Sequence, residues 1–261
     1  MSTLLLRLAA PLQSWGVESK FERRLTSRTP SKSGVIGICA AAFGYKRNDV
    51  VNLGKFANLK FGVRIDRPGS LLKDFHMAHD EVFWNPEDRS KINQTLTQIN
   101  KNKTSFLTTR YYLADAAFLA GLEGEDGFLS EIDKAIKEPM YPLFLGRRSC
   151  PPEGRVSLGI VPDCLVDALS KQPYVVSQPR KYSGFSYKPR IVVDAEAYAI
   201  ENEVIHNKGY RLCDVPLSFN PEYRKFNYRN VYEFDAEEPD NCLLNDYHDA
   251  FTEVEEVQPC I

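Results

Sequence analysis

The densest chemistry in the chain lies between Gln13 and Lys32. Gln13, Ser14 and Trp15 precede Arg23, Arg24, Arg28 and Lys32, and a helix opens at Pro30-Ser31-Lys32-Ser33-Gly34. Free N–H groups at a helix start suit a phosphate, and the lysine adds charge. Trp15 offers a stacking surface worth ~1–3 kcal/mol per base. The same residues permit a plainer arrangement, with Trp15 in the core and Ser31 or Ser33 as a helix cap. This is no Walker loop, because Lys32 precedes Gly34 and GxxxxGK[ST] is absent.

Three further groups carry possible chemistry. Residues 89–110 hold Arg89, Lys91, Lys101, Lys103 and Arg110 with no acid, amid many Asn, Gln and Thr. Such a segment suits a nucleic-acid backbone, or is a loop kept soluble by its lysines. Gly146-Arg147-Arg148 joins a residue that permits close backbone approach to two forked phosphate donors, or is a plain turn. His76-x-x-His79-Asp80-Glu81 resembles a metal cluster, but on a strand positions 76 and 79 face opposite ways. No metal and no cofactor is therefore expected. His76 by itself could contact RNA or act as a base.

These groups need elements to hold them. Residues 3–10 read as a buried strand ended by Pro11, followed by a PLQSWG loop. Residues 17–29 read as an exposed strand or hairpin arm. VIGICAAAFG is a helix stopped by Gly44. Strands are expected at 59–66, 71–79, 107–120 and 140–146, and an amphipathic helix at 127–138 buries Phe128, Leu129, Ile132 and Ile136. With the polar insertion treated as a protrusion, the order approaches the βαββαβ plan of ferredoxin-like, α+β domains. RNA-recognition modules use that plan, as do many unrelated proteins. After Pro151-Pro152, strands at 174–177, 191–200 and 210–217 suggest a smaller β-rich part.

Composition narrows the classes. A chain of 261 residues, 43% hydrophobic and 26% charged, has the make-up of a folded protein with a sizeable core. Residues 231–261 carry ten acids and no Lys or Arg, which leaves 33 basic against 25 acidic residues elsewhere. A basic body with an acidic tail hints at polyanion binding, although such blocks are also simply solvated ends. Six cysteines without a CxxC pair fit reduced thiols in a cytoplasmic protein. No signal peptide and no membrane span is evident.

Five motifs occur in order: LLLRLAAPLQSWG, RxTxxxPSKSGVIG, LLKDFHMAH, YYLADAAF and YPLFLGRRSCPP. Together they resemble the CasD family of type I-E CRISPR Cascade complexes, repeat-associated mysterious proteins of CRISPR-associated family five. The likeness covers roughly residues 2–215. It implies a ferredoxin-like RNA-binding domain over 1–150 with a thumb hairpin at about 80–108, a small β-rich domain over 151–225, and leaves 226–261 as an acidic extension. It implies a non-catalytic subunit that holds the 5′ handle of crRNA and contacts the backbone subunit CasC and the large subunit CasA. Target DNA is met only through the complex.

The RNA-binding residues expected on that basis are Gln13, Ser14, Trp15, Arg24, Arg28, Ser31, Lys32, His76, Lys101, Lys103, Arg110, Gly146, Arg147 and Arg148. Members of the family in another CRISPR subtype cleave repeat RNA without metal, using Tyr, Lys and His. The matching alternative here is a metal-independent endoribonuclease built on Tyr45, His76 and Tyr111. Exchanging Lys101 and Lys103 for Glu is expected to weaken RNA binding and flatten its salt dependence. A salt slope equal to the parent's, from binding titrations at several salt concentrations, would mean the insertion does not touch phosphate.

Overall fold

The computed structural model describes residues 1–16, 19–20, 23–79, 105–175, 188–199, 209–220 and 222–237. Its spine is β1, Ser2–Gln13, paired antiparallel with β6, Ser105–Gly124, on one side and β7, Ser157–Val161, on the other. Being central, β1 buries both faces. Leu4, Leu6 and Leu8 enter one core layer, and Leu5 and Ala9 enter the other. This is why the segment reads as an unbroken apolar run and not as an alternation. Arg7 interrupts that run without breaking it. Its Nε donates to the Val175 carbonyl at 2.9 Å and its Nη1 to that of Glu153.

The first layer is covered by α1, Lys32–Ala42, and α3, Asp126–Lys137, with the short α2, Val50–Gly54, between them in sequence. Leu129, Ile132 and Ile136 form the buried stripe of α3. Ser31 caps α1, its Oγ accepting from the Gly34 amide, and Gly44 (φ 75°) follows the helix end, both as the sequence indicated. The second layer is covered by α4, Leu165–Lys171, whose Leu165 and Leu169 meet Leu5, Leu119 and Val193.

The sheet is almost wholly antiparallel. β4, Lys60–Arg67, lies beside β6, then β8, Arg190–Asp194, then β10, Lys225–Asp235, then β9, Tyr210–Ser218. A two-residue β2, Ser19–Lys20, and β3, Arg23–Arg24, extend it past β6, matching the hairpin arm expected at 17–29. β5, Ser70–His79, runs beside the first half of β6 in unbroken register from Ser70↔Ala114 to His79↔Ser105. The second half of β6 lies between β1 and β4. The insertion joining β5 to β6, with Lys101 and Lys103, lies outside the described residues.

Several expectations need correcting. Pro11 does not end β1: the register passes over it, from Ala10↔Ala116 to Leu12↔Ala114, opposite Asp115 at φ 56°. Residues 140–146 are not a strand. Pro142 and the tight Leu145–Cys150 turn leave them irregular, and the place beside β1 belongs to β7. Residues 191–200 split into β8 and a helical turn, α5, Ala195–Ala199. Tyr174 and Val175 form no strand, and 176–187 lies outside the described residues. Residues 225–235 are not tail but β10. Two of the acids that disguised them, Glu233 and Asp235, meet Arg190 at 2.8 and 3.7 Å. The sheet also runs across the boundaries expected at 150 and 225, since β7 pairs with β1 across the first and β10 with β8 across the second. No described helix is long and apolar enough to cross a membrane.

A buried ion pair ties α4 to the sheet. Arg64 of β4 holds Asp66 through Nε at 2.6 Å and Nη2 at 3.0 Å, with both side chains fully buried. Arg64 also donates to the carbonyls of Leu169, Gln172 and Pro173, while Asp66 accepts from the Val175 amide. Arg64→Ala is expected to cost ~3–5 kcal/mol in urea denaturation, because it strands a buried carboxylate. A loss under about 1 kcal/mol would remove the pair from this role.

Candidate nucleic-acid interface

A groove of about 700 Å³ lies over the small-residue face of α1. Gly34, Gly37 and Ala41 supply a floor without long side chains. Its aromatic walls come from four separate places: Tyr45 after α1, Tyr141 and Phe144 in the loop after α3, Phe219 after β9, and Phe226 at the start of β10. Tyr45 stacks on Phe43 with ring centres 5.0 Å apart, and Phe219 meets Phe226 edge-on at 6.5 Å. Lys46, Arg47, Arg148 and Arg224 line the same groove, all exposed and without a side-chain partner among the described residues. Flat aromatic surfaces beside solvated cations are what unpaired nucleotides require: rings for bases, cations for phosphates.

The loops around the groove depend on close backbone contact. Gly146 has φ 95°, and a Cβ there would fall 1.7 Å from the Ser14 carbonyl oxygen. The Ser14 amide donates to the Leu145 carbonyl at 3.1 Å, and its Oγ to the Tyr111 carbonyl at 3.3 Å. Gly34 plays a similar part beneath α1, where a Cβ would lie 2.8 Å from the Trp15 ring.

The expected site residues divide sharply. Tyr45 and Arg148 line the groove, as do Ser14, Trp15, Ser31 and Gly146. Gln13 is fully buried: its Nε2 donates to the carbonyls of Leu8 and Ala116, and its Oε1 accepts from Trp15 Nε1 at 3.0 Å. Trp15 is 1% exposed and has no free face for a base, so the stacking role expected for it is overturned. Ser14 and Ser31 are buried, the latter as the cap of α1. Lys32 is not a phosphate ligand. Its Nζ lies 3.0 Å from Asp194 and donates to the Leu59 carbonyl, while its backbone amide donates to Asp214 at 2.8 Å. The helix start that looked ready for an anion already holds a carboxylate of its own chain.

Arg147 is also committed. Its guanidinium donates to the carbonyls of Tyr111 and Arg24 and lies 4.7 Å above the Tyr112 ring. Arg24 and Arg28 are exposed and do not line the groove. Arg110 and His76 are half-buried on the β5–β6 ladder, and Arg110 Nε and His76 Nδ1 have no hydrogen-bond partner among the described residues. Tyr111 contributes its carbonyl to Ser14 and Arg147.

The structure does not gather the alternative catalytic set. His76 pairs with Thr108 and Lys73 with Tyr111, so His76 and Tyr111 point to opposite faces of the ladder. Burial, with the charges of Glu131 and Asp49, pushes the Tyr45 phenol above its ordinary pKa and away from service as a base. Tyr112 was not singled out by the sequence. Burial works to raise its phenol, but hydrogen bonds from Ser149 and Arg147 and the Arg147 charge outweigh it and leave the group below its ordinary pKa.

Of the remaining groove residues, Lys46, Arg47, Phe219, Arg224 and Phe226 carried no local motif, and Tyr141 and Phe144 lie in the YPLFLGRRSCPP motif but were not singled out within it. The only available signal was the aromatic and basic run Phe219–Phe226, which contains Tyr223, Arg224 and Lys225.

Residues 3–232 match the family model described as CRISPR-associated protein (Cas_Cas5). The chain belongs to the Cas5 family. It is 30% identical over 243 residues to the CRISPR system Cascade subunit CasD of Escherichia coli strain K12, covering 88% of this chain and 95% of that protein. Among solved structures, it resembles a chain of a CRISPR RNA-guided surveillance complex with a TM-score of 0.68 and 29% identity, over 91% of both chains. A crystal structure of a Cas protein matches with a TM-score of 0.64 and 33% identity, over 91% of this chain and 97% of that one. The Cas5 match therefore takes in both the α1 side of the groove and its β9–β10 wall.

Because Gly146 lies against Ser14, Gly146→Ala is expected to cost at least about 2 kcal/mol. Thermal melting checks this, and a melting temperature within a degree or so of the parent's would mean the loop can move aside.

Proposed function

We propose that this Cas5-family chain is a non-catalytic crRNA-binding subunit of a type I-E Cascade surveillance complex in antiviral defence. In this reading the groove over α1 holds the 5′ handle of the crRNA, and other surfaces of the chain contact CasC and CasA. The observation that carries it is the groove itself: four cations without a side-chain partner among the described residues and five aromatic rings, in a chain whose relative is a Cascade subunit. The spatial order β7-β1-β6-β4, with α1 and α3 on one face, supports reading the first part as a ferredoxin-like domain. The unbroken β5–β6 ladder supports reading its distal end, at His79 and Ser105, as the base of a thumb.

The endoribonuclease alternative requires a base, an acid and a cation around one phosphate. The divergence of His76 and Tyr111 counts against the set proposed for it.

End-labelled repeat RNA is incubated in EDTA with the chain alone and with the chain co-expressed with CasC, then run on native and denaturing gels. A native shift with intact RNA is expected. The Arg148→Ala, Arg224→Ala double variant is expected to bind at least ~10-fold more weakly. Its salt slope should fall by about 1.4, two single-strand phosphate contacts at roughly 0.7 each. A defined cut in EDTA, or parental binding by the double variant, would overturn the proposal.

A further inference from the structure

The groove has two sides that the sheet does not join. Its floor is α1, while its far wall, Phe219, Arg224 and Phe226, belongs to the β9–β10 turn. Among the described residues, β9 is the last strand of the sheet and pairs only with β10. The turn nevertheless sits close on the helix: a Cβ at Gly37 would lie 3.8 Å from Phe219 Cζ. A Gly/Ala helix face offers little shape to fix such a contact.

A buried charge network supplies what the packing lacks. Arg229 of β10 holds Asp214 of β9 through Nε at 2.6 Å and Nη2 at 3.0 Å, and holds Asp194 of β8 through Nη1 at 2.7 Å. Asp214 accepts from the backbone amide of Lys32, the first residue of α1. Asp194 accepts from Lys32 Nζ and from the Phe61 amide of β4. The side chains of Lys32, Asp194, Asp214 and Arg229 are at most 10% exposed. Two cations face two carboxylates, so the network is neutral as a unit. Burial works against the Arg229 charge, but the bonds to Asp214 and Asp194 outweigh it and hold its pKa above the ordinary value. Charge pairs at these distances admit one geometry, whereas smooth apolar surfaces can slide.

We propose that Asp214 and Arg229 are positioning residues for the RNA groove: they clamp the β9–β10 hairpin to the start of α1 and thereby set the distance between Phe219 and the helix floor. The inference rests on the groove being the RNA site. Neither residue lines the groove, since Arg229 borders a separate polar cavity of about 490 Å³ with Arg211 and Tyr228. Their effect on RNA is therefore transmitted through the wall they hold. A wall displaced by about 1 Å is enough to spoil a stacking and phosphate site.

The test compares three variants by titration with end-labelled repeat RNA at several salt concentrations, each with a thermal melt. The Asp214→Leu, Arg229→Met double variant removes the clamp but replaces it with apolar side chains of similar size, a change that often preserves stability. It is expected to bind ~10-fold more weakly with an unchanged salt slope, because no phosphate contact is lost. Arg229→Lys keeps the charge but loses the fork, and is expected to fold and to bind about 3-fold more weakly. It decides the question if the double variant does not fold. Parental affinity in the folded clamp variants overturns the proposal. A salt slope lowered by about 0.7 also overturns it, by making Arg229 a direct phosphate contact. The Arg148→Ala, Arg224→Ala variant separates the two readings. If it too binds like the parent, the groove reading fails and the clamp with it. If it alone weakens, only the clamp fails.

Discussion

Buried positive charge has to be neutralised before this sheet can close on its helices. Arg7, Lys32, Arg64 and Arg229 all sit at strand or helix positions that packing removes from water. Leaving any of them unpaired would cost several kcal/mol. Most of their partners lie far away in sequence: Arg7 on the carbonyls of residues 153 and 175, Lys32 on Asp194, and Arg229 on Asp194 and Asp214, while Arg64 pairs locally with Asp66 and also reaches the carbonyls of the 169–173 segment. The Lys32 contacts and the carbonyl contacts of Arg7 and Arg64 join segments that the hydrogen-bond ladders do not. Arg64 fixes the end of α4, and the Lys32–Arg229 network fixes the last two strands.

That arrangement explains where the exposed cations are left. Lys32 and Arg147, both within the sequence motifs, are consumed internally, while Lys46, Arg47, Arg148 and Arg224 remain solvated around the groove. Two kinds of site therefore coexist on α1. Its N-terminus is closed by Ser31 and by the Asp214 carboxylate, and its small-residue flank is open. With the terminus closed by an internal carboxylate and the flank open, the groove presents side chains and ring faces and not the helix dipole.

Glycine sets the other limit. Gly146 and Gly34 lie where backbone or ring atoms approach too closely for any Cβ. They bring the 140s loop and the Trp15 segment against β1 and α1. The Gly-Arg-Arg motif thus works partly as architecture: Gly146 lets the loop in, Arg147 fastens it to Tyr111 and Arg24, and Arg148 alone of the three projects into the groove.

The sequence by itself determined the elements whose pattern is local. The β1 run, the capped α1 with its glycine stop, the α3 stripe, and the strands at 60–67, 70–79 and 105–124 follow from periodicity and capping, which act within a few residues. It also determined family membership, through motifs spread in order along the chain. Local pattern failed where a long-range partner overrode it. Pro11 stays in β1 because the ladder passes over it, and the acidic Glu233 and Asp235 lie in a strand because Arg190 answers them. Only the tertiary structure decided which site residues are free. Exposure is a property of what packs around a side chain, and that is set by partners tens to hundreds of residues away. Gln13, Trp15 and Lys32 looked available because their partners, Ala116, Gly34 and Asp194, cannot be read from the motif that contains them. Phe219, Arg224 and Phe226 escaped notice for the converse reason: the sheet and its buried charges carry them to α1 from the other end of the chain.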